Sequence, residues 1–316
     1  RALGLTRRAA RSMLQRLPLV LGAGAARAMS TTTRVGSNAC FGGSWQRYKH
    51  ESQCTKTPMT FSVFVPPAAT PEAPAPCIFY LSGLTCTDEN FVQKAGAARA
   101  AAERGVALVA PDTSPRGAGV DGEDDAYDFG SGAGFYVDAT AAPWRDNYNM
   151  YSYVTEELVA AVRDAAPAVD VGRRSITGHS MGGHGALTIA MKAPETWTSV
   201  SAFSPICNPT KVPWGAKAFE GYLGSVEAGA AHDASELVRK SGPFAFGDIL
   251  ISQGADDDFL VGDVDQLQPE AFRAACDSVG QGLELRYEAG YDHSYFFIAT
   301  FVDQHVNFHA DRLLAR

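Results

Sequence analysis

Short continuous apolar runs alternate along the chain with longer segments of helical composition. Residues 77–81 (CIFYL), 106–110 (VALVA), 199–203 (SVSAF) and 248–252 (DILIS) are uninterrupted enough to be strands covered on both faces. Residues 283–288 (LELRYE) alternate as a further strand. Helical composition fills 90–104, 151–165 and 305–314, and 269–279 opens with a proline, as a crossover between two parallel strands requires. This alternation predicts a mostly parallel, doubly wound sheet flanked by helices. No internal repeat breaks the pattern, and 66–76 (PPAATPEAPAP) is a Pro/Ala loop too brief to join two domains. A single catalytic domain over residues 29–316 is the expectation.

The chemistry concentrates where one of these strands meets a helix. Residues 175–177 (SIT) lead into Gly178-His179-Ser180-Met181-Gly182, and 181–192 then reads as a helix. This is the G-x-S-x-G nucleophile elbow of the α/β-hydrolase fold, with Ser180 as candidate nucleophile. Turning from strand to helix so tightly forces the serine into a strained backbone conformation, and side chains two residues either side would collide, which accounts for Gly178 and Gly182.

That fold requires an acid and then a histidine, each just after a later strand. The run ending at Gln253 breaks into Gly254-Ala255-Asp256-Asp257-Asp258-Phe259-Leu260, and the run ending at Glu288 breaks into Ala289-Gly290-Tyr291-Asp292-His293-Ser294. His293 is the candidate base, while spacing leaves Asp256, Asp257 and Asp258 all open as the acid. The other histidines have plainer readings. His179 is expected to point away from the elbow, and His184 lies one helical turn on, so both are packing or hydrogen-bonding residues. His232, His305 and His309 are assigned to surface or interhelical positions, and His50 precedes the serine. Two backbone N–H groups must face the developing oxyanion. Met181 supplies one, and Leu84, just past Gly83 in the turn after 78–81, is the candidate for the other.

Composition narrows the field further. The 316 residues carry a net charge of −8, but residues 1–28 hold six arginines and no acid or lysine. Such a stretch reads as an organellar transit peptide or as translated sequence upstream of Met29, disordered and outside the fold. Without those six arginines the charge is −14. That acidity argues against nucleic-acid and anionic-membrane binding. The apolar stretch at 17–29 is interrupted by Pro18 and Arg27 and is shorter than the ~20 residues of a membrane span. Six cysteines with no C-x-x-C pair suit reduced thiols in a cytosolic or organellar compartment. No metal is expected: the acidic stretch 121–128 lacks the EF-hand glycine and later glutamate, and is assigned to a solvated loop. No cofactor is expected either, because 130–134 (GSGAG) follows no strand and lacks the full dinucleotide spacing.

Several longer strings resemble the S-formylglutathione hydrolase (esterase D) family: 81–87 (LSGLTCT), 128–140 (DFGSGAGFYVDAT), 147–158 (NYNMYSYVTEEL), 178–187 (GHSMGGHGAL), 203–209 (FSPICNP) and 290–301 (GYDHSYFFIATF). The resemblance runs from about Gly36 to the C-terminus, departing mainly at the N-terminus and around 229–234. It implies a serine thioesterase that releases formate and glutathione from S-formylglutathione, with Ser180 as nucleophile, His293 as base and Asp257 as acid. It also implies Leu84 and Met181 as oxyanion donors, and Cys86 as a thiol near the site outside the triad. Trp214 and Lys217 belong to a string, 212–219 (VPWGAKAF), that resembles the family's site wall, and are candidates to meet the glutathione carboxylates. A homodimer in the cytoplasm is implied, or a mitochondrial or plastid enzyme if 1–28 is a transit peptide. A broad carboxylesterase acting on small acyl esters is the alternative.

Overall fold

The computed structural model describes residues 31–315; the arginine-rich 1–28 stretch lies outside them. Nine strands run in chain order: β1 Thr33–Cys40, β2 Gly43–Glu51, β3 Pro58–Val65, β4 Ala75–Leu81, β5 Ala107–Pro111, β6 Val169–Gly178, β7 Ser201–Phe203, β8 Ile249–Gly254 and β9 Leu283–Glu288. The first six lie in the order β1-β2-β3-β5-β4-β6, and β7-β8-β9 continue the surface through parallel bridges Ile176–Val200 and His179–Phe203. From β5 through β9 every pairing is parallel, whereas β1, β2 and β3 add an antiparallel edge. That edge did not emerge from apolar runs because β1 is largely exposed and β2 (GSWQRYKHE) is half polar.

Helices α1 (Asp88–Lys94) and α2 (Ala98–Arg104) take the place of the single helix expected over 90–104. Between them Gly96 adopts φ +72°, a left-handed conformation that ends the first helix. α3 (Met150–Ser152) passes through a π-turn at Tyr153–Glu157 into α4 (Leu158–Ala165). Then follow α5 (Met181–Lys192), α6 (Pro213–Leu223), α7 (Ala234–Ser241), α8 (Asp258–Val261), α9 (Pro269–Val279) and α10 (Tyr295–Leu313).

The two-residue period of β4 divides the core. Cys77, Phe79 and Leu81 join a cluster with Val109, Ile176, Leu187 and Phe272, while Ile78 and Tyr80 join Phe91, Leu108, Phe203 and Phe297 on the opposite face. Removing a ring such as Phe79 from water contributes about 2–3 kcal/mol before the entropy of ordering it.

α10 begins ten residues before the helix expected at 305 and lies across the sheet. Its histidines correct the surface or interhelical assignment: His305 and His309 are buried and bind strand hydroxyls. His309 meets Ser199 Oγ at 2.7 Å through Nδ1 and Ser201 Oγ at 2.8 Å through Nε2. His305 meets Ser201 Oγ at 2.8 Å and Ser252 Oγ at 3.1 Å, and its ring stacks on Phe203. The acidic 121–128 loop is likewise not wholly solvated, because Glu123 is buried and accepts from the N–H groups of Ala118 and Gly119.

Candidate active site

Ser180 sits in the two-residue turn between β6 and α5, with φ +59° and ψ −120°. A residue with a Cβ holds such a backbone only where its surroundings over-determine it. Three bonds do so: His179 N–H donates to Leu81 O (3.0 Å), Ser180 N–H to Phe203 O (3.0 Å) and His184 N–H to Ser180 O (3.0 Å). The elbow is thereby fastened to β4, β7 and its own helix. The close approach is visible at Gly182, where a Cβ would stand 2.0 Å from Leu81 O, and at Gly178, where it would stand 2.2 Å from Gly182 O.

Of the three consecutive aspartates, Asp257 is buried while Asp256 and Asp258 are exposed. Its Oδ2 accepts from His293 Nδ1 at 2.5 Å and from Gln253 Nε2 at 3.2 Å, and its Oδ1 accepts from Phe259 N–H at 2.9 Å, which caps α8. The carboxylate is thus fixed from three sides, and it fixes the imidazole in turn. Asp292 accepts from Ser294 N–H at 2.9 Å and Ser294 caps α10, so the histidine loop is held just before a 19-residue helix.

Ser180 and His293 line one cleft of about 310 Å³. Leu84 is on its wall. The Leu84 N–H donates to no acceptor among the described residues, and Met181, at the first position of α5, has no intrahelical acceptor for its own. The loop carrying Leu84 is held by Thr85 N–H to Gly132 O (2.9 Å), by Thr113 Oγ1 to Cys86 O (2.6 Å) and by Thr85 at φ +66°. Cys86 also lines the cleft, and burial pushes its thiol upward in pKa.

His179 departs from the sequence expectation. It lines the same cleft, its ring centroid is 4.4 Å from that of His293, and burial followed by the charge of His293 holds its pKa well below 6.5. It stays neutral beside the other imidazole. His184 does pack away from the site, with Nε2–H donating to Phe135 O at 3.0 Å. His232 bonds Lys192, His50 bonds the Tyr153 hydroxyl, and neither lines the cleft.

Trp214 lines the cleft, donates from Nε1 to the Tyr127 hydroxyl at 3.2 Å and packs on Phe259. Lys217, one turn further along α6, does not line it. Its ammonium is tied to Asp128 at 2.5 Å. Beside Gly83, Thr85 and Asn90, an aromatic part of the wall is added by Tyr127, Phe259 and Tyr295. Sequence reasoning singled out none of these three, although Phe259 and Tyr295 lie beside the acid and base in the chain. Among the described residues no group of three or more His, Cys, Asp or Glu side chains gathers to hold a metal ion. No helix there is long and apolar enough to cross a membrane.

The family model for esterases, described as "Putative esterase", matches residues 52–308. S-formylglutathione hydrolase of Rattus norvegicus is 52% identical over 284 residues, covering 89% of this chain and 99% of the rat protein. The chain belongs to the S-formylglutathione hydrolase family. Membership extends across kingdoms, since the Arabidopsis thaliana S-formylglutathione hydrolase is 49% identical over 90% of this chain and 99% of its own. Among solved structures, an S-formylglutathione hydrolase from Agrobacterium tumefaciens superimposes with a TM-score of 0.84 at 46% identity, covering 89% of this chain and 99% of that one. A fluorophosphonate-binding serine hydrolase of Staphylococcus aureus, 18% identical with a TM-score of 0.64 over 85% of this chain and 98% of its own, shares the fold alone. The fold of this S-formylglutathione hydrolase family member is that of the α/β-hydrolases.

Proposed function

We propose that this chain hydrolyses S-formylglutathione to formate and glutathione on one catalytic domain, using Ser180, His293 and Asp257 as its triad. The observation that carries the reading is the short Asp257–His293 hydrogen bond beside an elbow serine in one cleft. About half of the residues are shared with hydrolases named for that thioester. With Nδ1 engaged by Asp257, the His293 Nε2 is the nitrogen left to take the Ser180 proton as Oγ attacks the thioester carbonyl. Asp257 holds the tautomer and stabilises the imidazolium. The oxyanion is received by the N–H groups of Leu84 and Met181, each worth roughly 3 kcal/mol of barrier. Collapse expels glutathione thiolate, a good leaving group, so His293 has less general-acid work than in amide hydrolysis. The departing thiolate takes up the proton held by the His293 imidazolium; the neutral imidazole then deprotonates water as it attacks the formyl-serine, and returns that proton to Ser180 Oγ as formate leaves.

Six cysteines, none in a disulfide, support a reducing compartment, for which we take the cytoplasm, and the family resemblance is our ground for a homodimer. No cofactor enters the scheme. The alternative is a broad carboxylesterase, favoured by the aromatic part of the cleft wall, which would suit small aryl esters. Comparing kcat/KM for S-formylglutathione and p-nitrophenyl acetate separates the two, and a preference for the ester overturns the thioesterase reading.

A further inference from the structure

We propose that Lys94 is the cation that receives a carboxylate of the glutathione moiety, making it a specificity-determining residue of the cleft. This rests on the reading of the site as a glutathione thioesterase. The carrier tripeptide brings two carboxylates and one ammonium, whereas the chain is acidic and the loops around His293 add Asp256, Asp258 and Asp292. An anionic substrate therefore needs a local positive charge to be held against that background. Lys217, the candidate from the sequence, already has a carboxylate of its own in Asp128.

Lys94, like Lys217, is not among the residues that line the cleft, but it differs in its neighbours. It occupies the last turn of α1, one helical turn beyond Asn90, which lines the cleft, so the two share a helix face. Its ammonium lies 5.7 Å from the ring centroid of Tyr295, another cleft residue. Burial raises the pKa of the Cys86 thiol, which also lines the cleft, and the charge of Lys94 acts against that rise, so its field reaches the wall. Among the described residues no carboxylate pairs with it, because Glu89 and Asp88 on the same helix are both taken by Arg47. The result is an exposed cation beside Tyr295 with no carboxylate of its own, whereas Lys217 is paired with Asp128. A substrate carboxylate bound there would keep the carrier at the rim while its thioester reaches Ser180.

The test measures kcat/KM for S-formylglutathione and for p-nitrophenyl acetate, which carries no carboxylate, in the wild type and in Lys94→Gln, Lys94→Glu and Lys94→Arg. We expect the ratio of the two constants to fall about three- to tenfold in Lys94→Gln and further in Lys94→Glu. The loss should enter through KM, shrink in 0.5 M salt and be restored in Lys94→Arg. Equal losses on both substrates would make Lys94 merely structural, and an unchanged ratio in the Gln and Glu variants would remove it from binding; either result overturns the proposal. A wild type that already prefers the ester would instead overturn the thioesterase reading itself.

Discussion

Taking the protein from pH 7.5 to pH 5 should remove about 4 kcal/mol of folding stability through two buried imidazoles alone. His184 and His309 are fully buried, and desolvation lowers each from 6.5 to about 3. In the unfolded chain both titrate near 6.5. Between those values the unfolded state binds a proton that the native state refuses, so stability is lost as pH falls. At pH 5 the unfolded imidazole is almost wholly protonated and the native one almost wholly neutral. The cost is then about 1.5 pH units at 1.4 kcal/mol each, or about 2 kcal/mol per ring. His179 and His305 shift the same way and deepen the loss, while buried Asp112 and Asp233 are raised and oppose it as pH falls through their own native values. Against a typical net stability of about 5–15 kcal/mol, 4 kcal/mol is a large share. Urea unfolding at the two pH values measures it, and His309→Gln, which keeps a hydrogen-bonding side chain but cannot titrate, should shrink the difference by about 2 kcal/mol. Equal unfolding free energies at pH 7.5 and 5, or a His309→Gln variant with undiminished pH dependence, would refute the reasoning.

Three further outcomes concern the site. Ser180→Ala and His293→Ala should each abolish turnover with the far-UV spectrum unchanged, and labelling by a fluorophosphonate should vanish with Ser180→Ala; residual labelling there would point to another nucleophile. Asp257→Asn should keep the fold but cost roughly 10⁴-fold in kcat, read in a steady-state thioester assay, and a variant within tenfold of wild type would move the acid role elsewhere. Gly254→Ala should place a Cβ 2.5 Å from Asp292 O and 2.6 Å from Tyr291 O, lifting the histidine loop off β8. A displacement of about 1 Å costs on the order of 10²-fold in kcat, so a variant of near-wild-type rate would show that the loop tolerates the shift.

The segments legible in the sequence were those with sharp punctuation. The helices Met181–Lys192 and Pro269–Val279 and the strand Leu283–Glu288 fall where the pattern puts them. A proline opens the second helix and Gly280, at φ +72°, closes it. The loops that carry Asp257 and His293, proposed as acid and base, were legible as well, because a fold with a nucleophile elbow prescribes their order, although singling out Asp257 among the three aspartates needed the family resemblance. Largely exposed β1 and half-buried β2 lack both continuous apolarity and clean alternation, so they stayed hidden. The burial of His305 and His309 was hidden for another reason: their partners Ser201 on β7, Ser252 on β8 and Ser199 just before β7 lie 50 or more residues away in the chain. His179 was misplaced because the sharpness of the elbow was read as turning its neighbour outward, whereas Gly83 leaves room beside Ser180 for the His179 ring to stay.

One geometric constraint links the fold to the site. The groups proposed for catalysis follow the C-terminal ends of parallel strands: Leu84 after β4, Ser180 after β6, Asp257 after β8 and His293 after β9. In the order β4-β6-β7-β8-β9, β9 lies three strand spacings from β6, roughly 14 Å at the usual separation. The base must therefore reach back across β8. Asp257 follows the end of β8 by three residues, and His293 follows the end of β9 by five, so the more distant strand has the longer arm. That arm is pinned midway by Ala255 N–H to Glu288 O (3.0 Å) and Asp256 N–H to Tyr291 O (2.9 Å), with Gly254 bare beneath it. Asp257 emerges from the same β8 loop that supports the arm, so these two backbone hydrogen bonds position both the proposed base and the group that orients it. The acid therefore belongs on the strand between nucleophile and base, which is why the order serine, aspartate, histidine follows from the sheet itself.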